Sequence, residues 1–395
     1  MPPTITGPLV MNKKFILTAD LHMGLRQYGS SRREWHFYNA VFDIVNHAIN
    51  DNIKTICVAG DALDSIYPKE ATMRFVKGLN QLMIDKGLTM YVSSGNHDNT
   101  EHSWFELLED SSTEFGIKVV DNKQVATPDG LRIYGIKSYS KDGIMSALEN
   151  DVPADTDIIL IHTNCNEFVT YDAKSRSNKL FSINEFPFEK FKDKEHVYVC
   201  IGDTHITKQI DLHNVTFVSP GSTEVTKSNE DLDKYIFEMS NGEFKQRLMP
   251  PCYVRLRTDG VIKTPADIDA FLGFFDNDCI EKLKQDGGVM YIYYDPVIKD
   301  EVISRLNTFF YPYPKVIRKY IPQPAKNYVS KKDIVEQDNG DECIMTLSEF
   351  VHTQTPKYNL SPEGVTLVES LINNAVENID GMMQNYIKEK QLIVQ

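Results

Sequence analysis

Short apolar runs alternate with longer amphipathic ones through the first hundred residues. The stretches 15–19, 55–59 and 89–93 are too short for helices and mostly apolar, which predicts strands covered on both faces. Between them, 33–50 sets Phe37, Val41, Ile44, Val45 and Ala48 on one face, and 70–85 does the same with Met73, Val76, Leu79 and Leu82, so both read as helices packed on a sheet. The runs 158–161 and 197–201 repeat the strand pattern. Strand and helix in alternation predict an α/β sandwich with a largely buried sheet. From 118 to 249, turn signals at Pro128-Asp129-Gly130 and Asn241-Gly242 sit between alternating residues, predicting hairpins and a mixed sheet.

After Pro250-Pro251 the order strand (253–257), helix (266–274), strand (289–293), helix (297–309) and strand (315–320) predicts a small α+β domain. Pro322, Pro324 and the acidic stretch 338–342 read as a linker. Beyond it, Ser361, Pro362 and Glu363 supply a cap, a first-turn proline and an acid suited to a helix start. Val368, Leu371, Ile372, Ala375, Val376, Ile379, Met382, Met383, Tyr386 and Ile387 then recur at three- and four-residue spacing. An amphipathic helix about 38 Å long results, whose apolar face packs either on its own chain or on a partner.

Hydrophobic residues make up 41% of the 395 and charged residues 25%, the balance of a globular chain of more than one domain. Acidic side chains outnumber basic ones, 56 to 42. That excludes a protein coating nucleic acid through overall positive charge, while leaving room for a local basic groove. The six cysteines show no CxxC spacing, as expected of free thiols in a reducing compartment. No apolar run approaches the roughly 18 residues of a membrane helix, and the N-terminus lacks a basic segment leading into a long apolar one. The expectation is a cytoplasmic protein that does not engage membranes.

The candidate chemistry stands just after the strands. Asp20-Leu21-His22 follows the first, Gly60-Asp61 the second, Gly95-Asn96-His97-Asp98 the third, His162 the fourth and Gly202-Asp203-Thr204-His205 the fifth. The carboxyl ends of strands in an α/β sheet form a crevice, so residues remote in sequence converge there. Asp20, His22, Asp61, Asn96, His162, Asp203 and His205 are donors enough for two divalent ions, and imidazole with carboxylate but no thiolate favours Mn, Fe or Zn over a structural zinc site. Two such ions suit phosphoester hydrolysis, because they generate a nucleophile from water and neutralise charge growing on phosphorus oxygens. His97, beside Asn96, is placed either to stabilise the transition state or to protonate a leaving oxygen, with Asp98 to orient it. His36, His47, His102, His196, His213 and His352 show no partner pattern.

The ordered set DxH, GD, GNHD, H and GDxH resembles the calcineurin-like metallophosphoesterases, whose usual last motif is GHxH. The stretches ADLHMGLRQYGSSRREWHFYNAV from Ala19, AGDALD at 59–64 and SPGSTE at 219–224 look more narrowly like the SbcD-type (meiotic recombination) DNA repair nucleases. The resemblance implies a metallophosphoesterase-type β-sandwich flanked by helices over 11–250, a small capping and DNA-binding domain at 251–325, a linker at 326–360, and a C-terminal helix at 361–390 that binds an SbcC-type coiled-coil ATPase. It further implies one ion on Asp20, His22, Asp61 and His205, and a second on Asp61, Asn96, His162 and Asp203. Asp203 stands where the family usually has histidine, a harder ligand that favours manganese, or magnesium, over zinc. The implied function is a Mn-dependent DNA nuclease, dimeric through helices near the first two motifs. Arg26, Arg32 and Arg33, just beyond the first metal motif, are either contacts to backbone phosphate or the solvated start of a helix. Two other readings stay open: a phosphatase or small-molecule phosphodiesterase, and a catalytically silent scaffold for the ATPase.

Overall fold

The computed structural model describes residues 13–98, 103–109, 112–137, 140–169, 180–240 and 242–323. The linker and the C-terminal helix expected from the sequence, with His102 and His352, lie outside the described residues.

Strands β1 (Phe15–Thr18), β2 (Thr55–Ala59), β3 (Thr89–Ser93) and β4 (Gly116–Val119) run parallel. Helices α1 (Ser31–Asn50) and α2 (Glu70–Lys86) make the first two crossovers. Because successive strand residues face opposite ways, each strand serves two cores. Ile16, Ile56, Val58, Met90 and Val92 join Val41, Ile44, Val45, Val76 and Leu79 of the helices. Phe15, Leu17, Cys57, Ala59 and Tyr91 point to the other side.

There they meet a second sheet made of β5 (Gln124–Ala126), β6 (Arg132–Ile136), β7 (Ile158–His162), β8 (Val197–Gly202), β9 (Lys208–Leu212) and β10 (Val215–Ser219). Its order is β5-β6-β7-β8-β10-β9, the inner four strands parallel and the two edge strands antiparallel. Ile133, Ile158, Leu160, Cys200 and Val218 close the core between the sheets. Helix α3 (Lys141–Asn150) covers the outer face with Ile144 and Leu148. The chain then returns to the first sheet as the hairpin β11 (Lys234–Ser240) and β12 (Glu243–Met249), giving the order β12-β11-β1-β2-β3-β4. This is the expected helix-flanked α/β sandwich.

The 251–323 region forms a third sheet of β13 (Val254–Arg257), β14 (Gly288–Tyr294) and β15 (Val316–Pro322), all parallel. One face packs on α4 (Pro265–Leu272), α5 (Asn277–Gln285) and α6 (Lys299–Phe310) through Ile268, Leu283, Met290, Ile292, Val302 and Phe310. Helix α5, absent from the order expected from the sequence, starts on an Asp276 cap and buries Leu283, with Cys279 and Ile280 packed beside it. The other face sets Tyr253, Val289 and Tyr291 against Val225, in the loop between β10 and β11. All three sheets belong to one compact unit ending at Gln323.

Candidate metal centre

The segments leaving β1 and β2 stay paired beyond the strands. Asp20 N–H donates to the Gly60 carbonyl at 3.1 Å, His22 N–H to Asp61 at 2.9 Å and Met23 N–H to Ala62 at 3.0 Å. This zipper turns Asp20, His22 and Asp61 toward one rim. Asp20, His22, Asp61, Asp203 and His205 all have positive φ, from 44° to 85°, a backbone region L-residues rarely occupy and one that clusters at functional sites. Two glycines make the approach possible. A Cβ on Gly60 would lie 2.2 Å from His162 Nδ1, and one on Gly95 would lie 2.1 Å from Asp61 Oδ1.

His162, at the end of β7, reaches across from the second sheet. Its Nδ1–H donates to the Ala59 carbonyl at 2.9 Å, which leaves Nε2 facing Asn96 Oδ1 at 3.0 Å and Asp61 Oδ2 at 3.3 Å. His205 is oriented the same way, its Nδ1 held by Glu230 Oε1 at 2.8 Å and its Nε2 pointing at His22 Nε2, 3.2 Å away, and Asp20 Oδ1, 3.8 Å away. Such outer partners fix which ring nitrogen is left to bind a metal. Asp20, His22 and His205, and likewise Asp20, Asp61 and His162, and His22, Asp61 and His97, each bring donor atoms within 4.8 Å of one another.

Burial would raise the Asp61 carboxyl, but the hydrogen bond and charge of His162, with the charge of His22, hold it at about 2. Asp61 and Asp20 in turn raise His162 to about 10 against the opposing effect of its burial. The rim is therefore a place of strong negative potential. His22 and His205 bring two ring nitrogens face to face, and His22 Nδ1 is buried without a hydrogen bond. Paired lone pairs, two carboxylates and an amide oxygen form a donor set that fits divalent cations, with no thiolate among them.

Of the seven donors expected from the sequence, six converge. Asp203 comes to the same rim, but its N–H donates to both oxygens of Asp20, at 3.0 and 3.1 Å, and its carboxylate accepts from the Asn164 amide. His97 faces the site half-exposed, its ring edge-on to His22 at 5.0 Å and Nε2 4.0 Å from Asp61 Oδ2.

Two expectations are corrected. Asp98 does not orient His97: its carboxylate accepts from the backbone N–H groups of Ala62, Leu63 and Gly95 at 2.8, 3.1 and 2.6 Å, stapling the β2 exit to the β3 exit. Burial and the neighbouring Asp61 push it up to about 6. The partner of His97 is Asp64, whose carbonyl accepts from Nδ1 at 3.0 Å and whose Oδ1 lies 3.4 Å from His22 Nδ1. Nor is Arg33 available to phosphate. Its side chain is fully buried, donating to Gln27 Oε1, Tyr253 OH and the Val225 carbonyl at 2.8 Å each and lying 3.4 Å from Glu224 Oε1. Arg26 is exposed and Arg32 partly so. Asp64 was visible in the sequence within AGDALD; Glu230, 25 residues from His205, carried no signal.

Residues 13–207 match the calcineurin-like phosphoesterase family. The chain is similar to the DNA double-strand break repair protein Mre11 of Methanocaldococcus jannaschii, 22% identical over 231 residues covering 55% of this chain and 58% of that protein. It is likewise similar to the protein of that name from Saccharolobus solfataricus, 27% identical over 160 residues, 39% of this chain and 42% of that one. Each alignment spans less than two thirds of the relative's own length. Among solved structures it resembles a dimetal phosphatase from Danio rerio at a TM-score of 0.39 and 10% identity, covering 60% of this chain and 95% of that one. The motifs read from the sequence and the family match coincide, and residues 13–207 constitute a calcineurin-like phosphoesterase domain.

Proposed function

We propose that the protein is the nuclease subunit of an SbcCD-like ATPase–nuclease complex, hydrolysing DNA phosphodiesters with two divalent cations, manganese ahead of magnesium. The observation that carries the reading is the convergence of Asp20, His22, Asp61, Asn96, His162 and His205 at one rim, with His97 open to solvent beside them. Asp20, His22, Asp61 and His205 would hold one ion; Asp61, Asn96 and His162, with Asp203, would hold the other. Bound there, the ions would lower the pKa of water and offset charge on the phosphate oxygens.

The chain's own groups do the rest. The Ala59 carbonyl and the Glu230 carboxylate keep His162 and His205 in one tautomer. The Asp64 carbonyl accepts a hydrogen bond from Nδ1–H of His97, so Nε2 is the nitrogen that meets the scissile phosphate, and from the imidazolium form it would hand its proton to the departing 3′ or 5′ oxygen, leaving the neutral Nδ1–H ring. DNA contacts fall to Arg26, Arg32 and the 251–325 cap, whose sheet rests on the loop that also orients His205. The exposed Trp35 and Phe42, seven residues apart on α1, support dimerisation through that helix. The 361–390 segment is assigned to the coiled-coil ATPase.

The test is Mn2+-dependent hydrolysis of linear duplex DNA beside bis-p-nitrophenyl phosphate, with calorimetric counting of bound ions. Expected are two ions per chain, degradation of DNA, and a loss of roughly 100-fold on His97→Ala with stoichiometry unchanged. Turnover of the small ester alone would favour a phosphodiesterase. Turnover of neither would favour a scaffold, the reading that the Asp203–Asn164 bond supports.

A further inference from the structure

The loop between β10 and β11, residues 220–233, touches the metal rim on one side and the cap on the other. It begins at the rim, where Ser222 bridges to Ala19 and Thr223 N–H reaches the Asp20 carbonyl at 3.4 Å. Inside the loop, the Glu230 carboxylate collects His205 Nδ1 at 2.8 Å, Thr226 N–H at 3.0 Å, Ser222 Oγ at 3.0 Å and Lys234 Nζ at 2.9 Å. Outside it, the cap grips the loop's carbonyls. Arg257 donates to Glu230, Arg255 to Leu232 at 2.7 Å and Tyr293 OH to Ser228 at 3.0 Å. Glu230 thus offers its side chain to a candidate ligand and its main chain to the cap.

Resting on the metal-centre reading above, we propose that Glu230 is a positioning residue for His205, and that through it the seating of the cap on the 220–233 loop sets the affinity of the ion held by Asp20, His22, Asp61 and His205. Coupling of this kind is reciprocal: if the seated cap tightens the ion, the ion tightens the cap. Arg257 touches none of the ligands, so any effect of its removal on metal affinity travels through the Glu230 main chain.

The experiment uses the full chain, with Mn2+ as the probe, calorimetric titration as the first readout and amide hydrogen exchange in β13 as the second. Glu230→Gln keeps the acceptor oxygen but removes the charge behind His205. It is expected to weaken one of the two ions by about 10–100-fold and leave the other unchanged, splitting one titration step into two. Arg257→Ala is expected to weaken the same ion several-fold, with Arg257→Lys restoring part of the loss. In the wild type, Mn2+ should slow exchange in β13; in Glu230→Gln it should not. A chain that merely folds badly would lose both ions together and expose β13 with or without Mn2+, which overturns the proposal. So does an Arg257→Ala titration that matches the wild type while Glu230→Gln splits. A wild type that binds no Mn2+ overturns the metal centre itself and this inference with it.

Discussion

Two clusters of buried charge lie close together in this molecule and are built on opposite terms. Beneath the third sheet, Glu224 is buried with Arg255 at 2.7 Å and Arg33 at 3.4 Å, and with Tyr253 OH on the same carboxylate. His36 stacks on Tyr253 at 3.7 Å and accepts from Arg33 at 3.0 Å. Here the chain supplies the counter-charges, two guanidiniums for one carboxylate. At the rim, Asp20 and Asp61 are as deeply buried, yet their ion pairs among the described residues are with imidazoles alone. A charge cluster that brings its own cations is a fastening. One built from acceptors and lone pairs leaves a place for a cation from outside, which is why the second cluster and not the first carries the functional reading.

The largest expected effect breaks the fastening. Glu224→Ala leaves Arg33 and Arg255 buried without a partner, and should cost about 3–5 kcal/mol in denaturant unfolding, with no recovery on adding Mn2+. The rim should answer the other way: Mn2+ at a hundred times its Kd is expected to stabilise the wild type over the chelated protein by about 2.7 kcal/mol for each ion bound. Asp61→Asn should remove that gain, seen as coincident melts with Mn2+ and with chelator.

Acid sharpens the comparison further. Burial, helped by Arg33, holds His36 at about 3 against an ordinary 6.5, so its contribution is whole above pH 6.5 and shrinks as pH falls toward 3. Glu224, held at about 2 by Arg255 and Arg33 despite burial, adds a second loss as pH falls from 4.5 toward 2. The His36 contribution alone should therefore fall by about 2 kcal/mol between pH 6.5 and 4.5, read as the difference in slope between the wild type and His36→Gln in urea titrations at a series of pH values. The smallest effect falls on Asp203, whose charge burial disfavours. Asp203→Asn is expected to raise the melting temperature of the chelated protein by a few degrees, about 1 kcal/mol or less, and to reduce the stabilisation by Mn2+. An unchanged response to Mn2+ would remove Asp203 from the ligand set.

What could be read in the sequence follows from the same contrast. The strands leading to the rim are apolar runs ending in polar residues, and each candidate ligand sits one to four residues past a strand or at its last position, so local pattern and spatial role coincide. Arg33 is illegible for the opposite reason. At the start of a helix an arginine looks solvated, and the groups that bury it, Glu224 and Tyr253, stand 191 and 220 residues away. Adjacency is all a sequence offers for Asp98, and it points to His97. The chain turns there, giving Asp98 three backbone N–H groups and leaving His97 to Asp64. Glu230 belongs to a loop held by Arg255, Arg257 and Tyr293 of the third sheet, residues remote from it in sequence.

The donors of the rim come from both halves of the sandwich. Asp20, His22, Asp61 and Asn96 leave the first sheet, while His162, Asp203 and His205 leave the second. Neither layer can make the site before the two have packed, and the left-handed backbone at five of these positions has no local reason to form earlier. Manganese uptake during refolding is therefore expected to lag behind collapse of either layer and to keep time with their closure, which makes the ion a reporter on the last cooperative step of assembly.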